Sequence, residues 1–88
     1  MAPQPSSPTV RDEAPSTEDL TDYDRLHFKT YIRLLDADAA RACHAEMSRI
    51  ILGIDPQAEP ERAAKAVESH LRRARWMTTH GYRKLLNS

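Results

Sequence analysis

The chain has 88 residues, and its formal net charge at pH 7 is zero. This length allows one small domain at most, and the sequence has two glycines and no alternating apolar–polar run typical of strands. The single cysteine, Cys43, excludes an internal disulfide. The longest apolar run, residues 50–52, is too short for a membrane span. Residues 1–10 lack the basic start and the apolar run of a signal peptide, so we expect none. We therefore expect an all-α domain in a reducing cytoplasm.

The charges are distributed unevenly along this neutral chain. Residues 1–22 contain one basic and five acidic side chains, whereas residues 60–88 contain seven basic and two acidic ones. Residues 1–20 are also rich in proline and serine, a composition that cannot bury enough apolar surface to fold. The sequence therefore predicts a disordered acidic tail over 1–20 and a helical domain over 21–88. A basic domain of this kind suits DNA or an acidic protein as a partner.

A first amphipathic helix is predicted from Thr21 or Asp22 to about Ala39. Thr21 can cap the helix, and acidic residues follow in its first turn, where negative charge is favoured. One side of this helix carries Phe28, Tyr31 and Leu35, which we expect in the core. His27 lies on the same side, and we expect it at the boundary of the core.

A second helix is predicted from about His44 to Leu52. Cys43 occupies its N-cap position, and Glu46 follows three residues later, so the pattern is a capping box with a weak acceptor. Gly53 is a natural helix end. Residues 53–59 then form the connection, and Pro60 suits the first position of the next helix.

The third helix is the longest pattern in the chain, from Pro60 to about Thr79. A small closing helix over residues 82–86 is expected to follow it. The core is predicted from the apolar stripes of all the helices. It comprises Phe28, Tyr31, Leu35, Ile50, Ile51, Val67, Leu71 and Met77.

The face of the third helix that lies opposite its apolar stripe is the candidate contact surface. A tryptophan among basic residues is typical of interfaces. Alternatively, the helix bends near Thr78 and the tryptophan packs onto the C-terminal segment. The candidate partner-binding residues are Arg62, Lys65, Ser69, Arg72, Arg73 and Trp76.

Neither a catalytic motif nor a set of metal ligands is recognisable in the sequence. It contains no glycine-rich phosphate loop and no nucleophile motif, and Cys43 has no second cysteine with which to bind zinc. We therefore predict a protein that is not an enzyme and that needs no cofactor.

The order of a short helix, a connection and a long basic helix is that of a helix-turn-helix, in which the second helix enters the major groove. The segments DYDRLHFKTYIRLLDADAA, EMSRIILGIDPQAEPERA and ESHLRRARWMTTHGYRKLL resemble a helix-turn-helix-variant family, long catalogued as a domain of unknown function. It occurs in regulators of proteobacterial integrative and conjugative elements. Residues 72–77 and 80–83 are the most specific part of the resemblance.

This resemblance implies one of two functions. Some members of the family are activators that bind promoter DNA, and small single-domain members are antiactivators that silence activators, including LuxR-type quorum-sensing regulators. The layout here resembles the second kind. We therefore expect a monomeric antiactivator of conjugative transfer whose partners are activator proteins, with no membrane contact. Direct DNA binding through the third helix is the alternative, and a solvated structural domain is a third interpretation.

Overall fold

The computed structural model describes residues 10–81, and all regular structure in this range is helical, so the all-α prediction is confirmed. The predicted closing helix over 82–86 lies outside the described residues. Within that range, no helix is both long and apolar enough to span a membrane. The elements are α1 (Asp22–Leu26), α2 (Phe28–Ala39), α3 (His44–Glu46) with a π-helical extension (Met47–Leu52), and α4 (Pro60–Trp76) with a π-helical extension (Met77–Gly81).

The first predicted helix is divided in two at His27. Thr21 caps α1 as predicted, because its Oγ1 accepts the Asp24 N–H at 3.1 Å while Asp24 Oδ2 accepts the Thr21 N–H at 2.9 Å. His27 leaves helical geometry, with φ −106° and ψ 22°. Its ring centroid lies 4.1 Å from that of Tyr23, and the side chain is buried. The expectation of a boundary histidine is therefore wrong, because the break turns the ring inward.

The second helix ends at Gly53 as predicted, but most of it is π-helical. Cys43 makes no capping hydrogen bond, in keeping with a weak acceptor at this position. Gly53 has a φ of +75°, the left-handed conformation that glycine adopts most easily. The wider π-helical turn rotates Ile50 away from the core, and this side chain is 61% exposed. Its assignment to the core is therefore wrong, because it assumed α-helical spacing.

The core lies between α4 and the other helices. Four of the predicted core residues are buried, namely Tyr31, Val67, Leu71 and Met77. Another three are partly buried at its edge, namely Phe28, Leu35 and Ile51. Leu34 is completely buried, although the sequence analysis did not assign it to the core.

Residues 10–20, which the composition assigned to the tail, pack against the helices. Val10 joins the main apolar cluster, and Ala14 is also buried. The Ala14 N–H donates to Ser69 Oγ at 3.0 Å, which ties the segment to α4. The predicted tail is therefore too long. Two small apolar residues and the polar groups of α4 anchor this stretch despite its composition.

Candidate nucleic-acid interface

The predicted contact face of α4 is divided between buried and exposed residues. Lys65 and Arg72 are exposed, as a contact surface requires. Ser69 and Arg73 are buried, with 6% and 3% exposure, and Arg62 and Trp76 are partly buried. Residues 10–20 contact this edge of the helix. Ser69 and Arg73 are thus engaged inside the domain and do not present a surface to a partner.

Arg73 forms a buried ion pair with Asp24 of α1. The guanidinium donates through Nε to Asp24 Oδ1 at 2.9 Å and through Nη2 to Oδ2 at 2.6 Å. It also donates to the carbonyl oxygens of Thr17 and Asp19. Tyr31 Oη donates to Asp24 Oδ1 at 2.7 Å. One arginine therefore joins α4, α1 and the segment preceding α1.

The hydrogen bonds around Asp24 keep its carboxylate ionised. Burial alone would raise the pKa of this carboxyl, but hydrogen bonds from Arg73, Thr21 and Tyr31 outweigh burial and lower the pKa to about 2. Burial, with the bond to Asp24, raises the pKa of Tyr31. The pair is fully hydrogen-bonded and belongs to the fold.

Trp76 packs beside the same ion pair. The Arg73 guanidinium carbon lies 3.9 Å from the centroid of the indole ring, a cation–π arrangement, and the His80 ring stacks against the indole at 6.2 Å between centroids. Trp76 also lines a small cavity of about 120 Å³ together with Ala14 and Pro15. Part of the indole that the sequence assigned to a partner therefore contacts the chain's own residues.

Arg62 is paired with two carboxylates. Its Nε lies 2.6 Å from Asp12 Oδ1, and its Nη1 lies 2.9 Å from Glu59 Oε2. The hydrogen bonds that Arg62 donates, first to Asp12 and then to Glu59, raise the pKa of Arg62. An incoming phosphate would have to displace these carboxylates, so Arg62 is poorly placed to bind one.

The exposed side of α4 is a stripe of alternating charge, which we call the outward stripe. At about 100° per residue its members fall within one sector of the helix. Arg75, which the sequence analysis did not select, follows Arg72 by three residues, a spacing that could have identified it. It pairs with Asp38 of α2 at 2.9 Å. The outward stripe comprises Glu61, Lys65, Glu68, Arg72 and Arg75.

We call the side of α4 that residues 10–20 contact the covered side. A second group of buried polar side chains lies there. His70 Nδ1 donates to the Ala66 carbonyl at 2.7 Å, so Nε2 is the acceptor for the Tyr23 hydroxyl. Tyr23 Oη in turn accepts the Arg11 N–H at 2.9 Å. Burial lowers the pKa of His70. These bonds connect residues 10–20 to α1 and α4, and they support the fold.

His27 completes this group, and its Nδ1 is buried without a hydrogen-bond partner. Burial lowers its pKa, and the nearby His70 and Arg11 lower it further. Among the described residues, no three histidine, cysteine or acidic side chains are grouped so that they could hold a metal ion.

The protein is a small all-helical domain, in which α3 and its extension lead through a turn into the long α4, the element order of a helix-turn-helix. The comparison with known families agrees with this class. Residues 6–87 match the RovC DNA-binding domain family, described as a T6SS transcription factor DNA-binding domain. The chain belongs to this family. The match includes residues 10–20, in keeping with their packing onto the helices. No curated protein matches the chain.

The family supports a regulator of transcription that acts through DNA, which the sequence analysis had placed second. The family match gives no support to the more specific resemblance to a quorum-sensing antiactivator of conjugative transfer. That likeness therefore stays a proposal, as does an activator protein as the partner.

Proposed function

We propose that this protein binds duplex DNA through the outward stripe of α4 and regulates transcription. Membership of a DNA-binding family carries this proposal. Lys65 and Arg72 are exposed on the helix that follows the turn, the helix that reads the major groove in helix-turn-helix proteins. A role on DNA would place the protein in the cytoplasm.

The contacts would begin with phosphates. Lys65 and Arg72 are two turns apart on one side of α4, so both can approach the same stretch of backbone. Arg62 is held by Asp12 and Glu59, and Arg75 is paired with Asp38. Since these two arginines are already engaged, we expect weak binding to random duplex, at the level of about 10⁻⁴ to 10⁻⁶ M typical of non-specific contacts.

A specific observation favours a second candidate function, the antiactivator. Glu61 and Glu68 alternate with the basic residues on the outward stripe. Carboxylates repel phosphate, but they can pair with the arginines of a protein partner. In this role the stripe would bind a transcriptional activator and prevent its action.

The two functions predict opposite effects of one substitution. Glu68→Gln removes a negative charge from the stripe, so it should raise the affinity for duplex DNA a few-fold at low salt. If the stripe binds an activator instead, the same change should weaken that complex. Asp36→Asn is the matched control, since Asp36 is an exposed carboxylate on α2.

Fluorescence anisotropy with a labelled random-sequence duplex, at two salt concentrations, measures the first effect. Co-purification with candidate activator proteins measures the second. Tighter DNA binding by Glu68→Gln, with no change in Asp36→Asn, supports the DNA-binding proposal. If wild-type protein does not bind DNA and Glu68→Gln loses a captured activator, DNA binding is wrong and the second candidate replaces it.

A further inference from the structure

An apolar groove runs between α2 and the end of α4. It has a volume of about 330 Å³. Of the described residues along it, only Tyr31 and Thr78 carry polar side-chain groups, and Ile32 at its rim is 44% exposed. A concave, mostly apolar lining with few polar groups is typical of binding sites. The other lining residues are Phe28, Leu35, Ala74 and Met77.

A second hollow adjoins the groove. It has a volume of about 290 Å³ and is lined by Leu20, Arg25, Phe28 and Met77. Phe28 and Met77 line both hollows, so the two lie on either side of this pair. Two neighbouring hollows can accept two large apolar side chains, such as those one turn apart on a helix.

The charged side chain that lines these hollows is basic. Among the described residues, Arg25 is the one charged side chain that lines either of them. Its contact with Asp22 is long, at 3.4 Å, and both side chains are exposed, so this pair contributes little stability. Lys29 and Asp36 are both exposed on α2, so together they add no net charge beside the groove. Arg25 therefore favours a ligand with an acidic residue at the edge of its apolar side.

We propose that the groove and the second hollow together bind an acidic amphipathic helix of a partner protein. Two large apolar side chains of that helix, one turn apart, fill the two hollows on either side of Phe28 and Met77. A carboxylate beside them pairs with Arg25. The helix-in-groove mode explains both the apolar lining and its division into two parts.

This site is separate from the outward stripe. At about 100° per residue, Ala74 and Arg72 point in directions about 160° apart around α4. The partner helix and DNA would therefore occupy opposite sides of the same helix. The proposal goes beyond the proposed function and does not depend on it.

The test uses a synthetic helical peptide of about 18 residues, with leucines four residues apart flanked by glutamates. A second peptide has lysines in place of the glutamates. The variant Ile32→Glu places a charge at the rim of the groove. Ile50→Glu is the matched control, because Ile50 is an exposed isoleucine on the π-helical segment. Ile32→Ser replaces Ile32→Glu if circular dichroism shows that the latter does not fold.

Isothermal titration calorimetry should show that the acidic peptide binds the wild type and Ile50→Glu equally. The affinity of Ile32→Glu should fall about tenfold or more, as expected for a charge facing an apolar anchor. The lysine peptide should bind more weakly than the acidic one, and this difference should shrink in Arg25→Gln.

Three results would overturn the proposal. The first is equal binding of the acidic peptide by Ile32→Glu and the wild type. The second is a dimer of the wild type in sedimentation that Ile32→Glu dissociates, since the groove would then hold a second copy. The third is a marked gain in peptide affinity on deletion of residues 82–88, which would make the chain's own C-terminal segment the occupant.

Discussion

Arg72 and Arg73 are neighbours in the sequence and lie in two different regions of α4. Arg72 is exposed on the outward stripe, whereas Arg73 is buried under residues 17–19 and paired with Asp24. The same type of side chain is thus free to meet a partner in one position, where we propose that it binds DNA, and is held inside the fold in the next. An arginine is buried here when a carboxylate from another part of the chain lies opposite it, as Asp24 does for Arg73. The residues next to it in the sequence do not show whether such a carboxylate is present.

The two regions also differ in how their polar groups are satisfied. On the covered side, Ser69, His70 and Arg73 all have hydrogen-bond partners inside the domain. On the outward stripe, Lys65 and Arg72 remain exposed to solvent. Substitutions on the covered side should therefore change stability, and substitutions on the outward stripe should change binding.

The largest effect is expected on the covered side. Arg73→Met leaves the Asp24 carboxylate buried without its ion pair, which should cost about 3–5 kcal/mol of unfolding free energy. Urea denaturation measures this cost. The double variant Asp24→Asn with Arg73→Met removes both charges and keeps an acceptor oxygen for the Tyr31 hydroxyl, so it should be more stable than Arg73→Met alone. If Arg73→Met unfolds at the wild-type urea concentration, the buried pair does not hold the three segments together.

Val10 tests whether residues 10–20 belong to the folded domain. Val10→Ala removes buried methyl groups from the main apolar cluster, which should cost about 1–2 kcal/mol. Glu13→Ala, an exposed change in the same segment, should stay within about 0.5 kcal/mol of the wild type. Thermal or urea melts distinguish the two. If both variants are equally stable, residues 10–20 do not contribute to the folded domain.

Acidification should weaken the covered side through its histidines. The pKa values of His27 and His70 are lowered in the folded state. As the pH falls below about 6.5, the unfolded chain therefore takes up protons before the folded one, and stability declines. Urea midpoints at about pH 7.5 and 5.5 should show this decline. His27→Phe should make this decline smaller, whereas the change of the exposed His44 to Gln should leave it as it is. A urea midpoint that does not change with pH would contradict the burial of these two histidines.

A smaller effect is expected at the end of α2. Arg41 has a φ of +65°, a left-handed conformation that a side chain with a Cβ adopts at a cost. Arg41→Gly should therefore raise the unfolding free energy by up to about 1 kcal/mol. Circular dichroism melts measure the gain, and a decrease in stability would show that Arg41 has interactions that outweigh its strain.

The sequence was sufficient for the helix ends at Thr21, Gly53 and Pro60, because these residues act through local geometry. It was insufficient where distant groups decide the outcome. The burial of Arg73 depends on Asp24, which lies 49 positions away. The exposure of Ile50 depends on a π-helical turn that periodicity does not encode. At the candidate interface, Lys65, Arg72 and Ser69 were all expected on the surface. Lys65 and Arg72 are exposed, but Ser69 is buried.

The most direct test of the account is the salt dependence of DNA binding. The slope of log Kobs against log salt concentration should become less negative by about 0.9 for each phosphate that the protein no longer neutralises. Lys65→Gln combined with Arg72→Gln should therefore reduce its magnitude by about two and leave the melting curve unchanged. Lys29→Gln combined with Arg33→Gln on α2 is the control and should keep the wild-type slope. An unchanged slope in the α4 variant, or no measurable binding by the wild type at low salt, would contradict the claim that the outward stripe binds DNA.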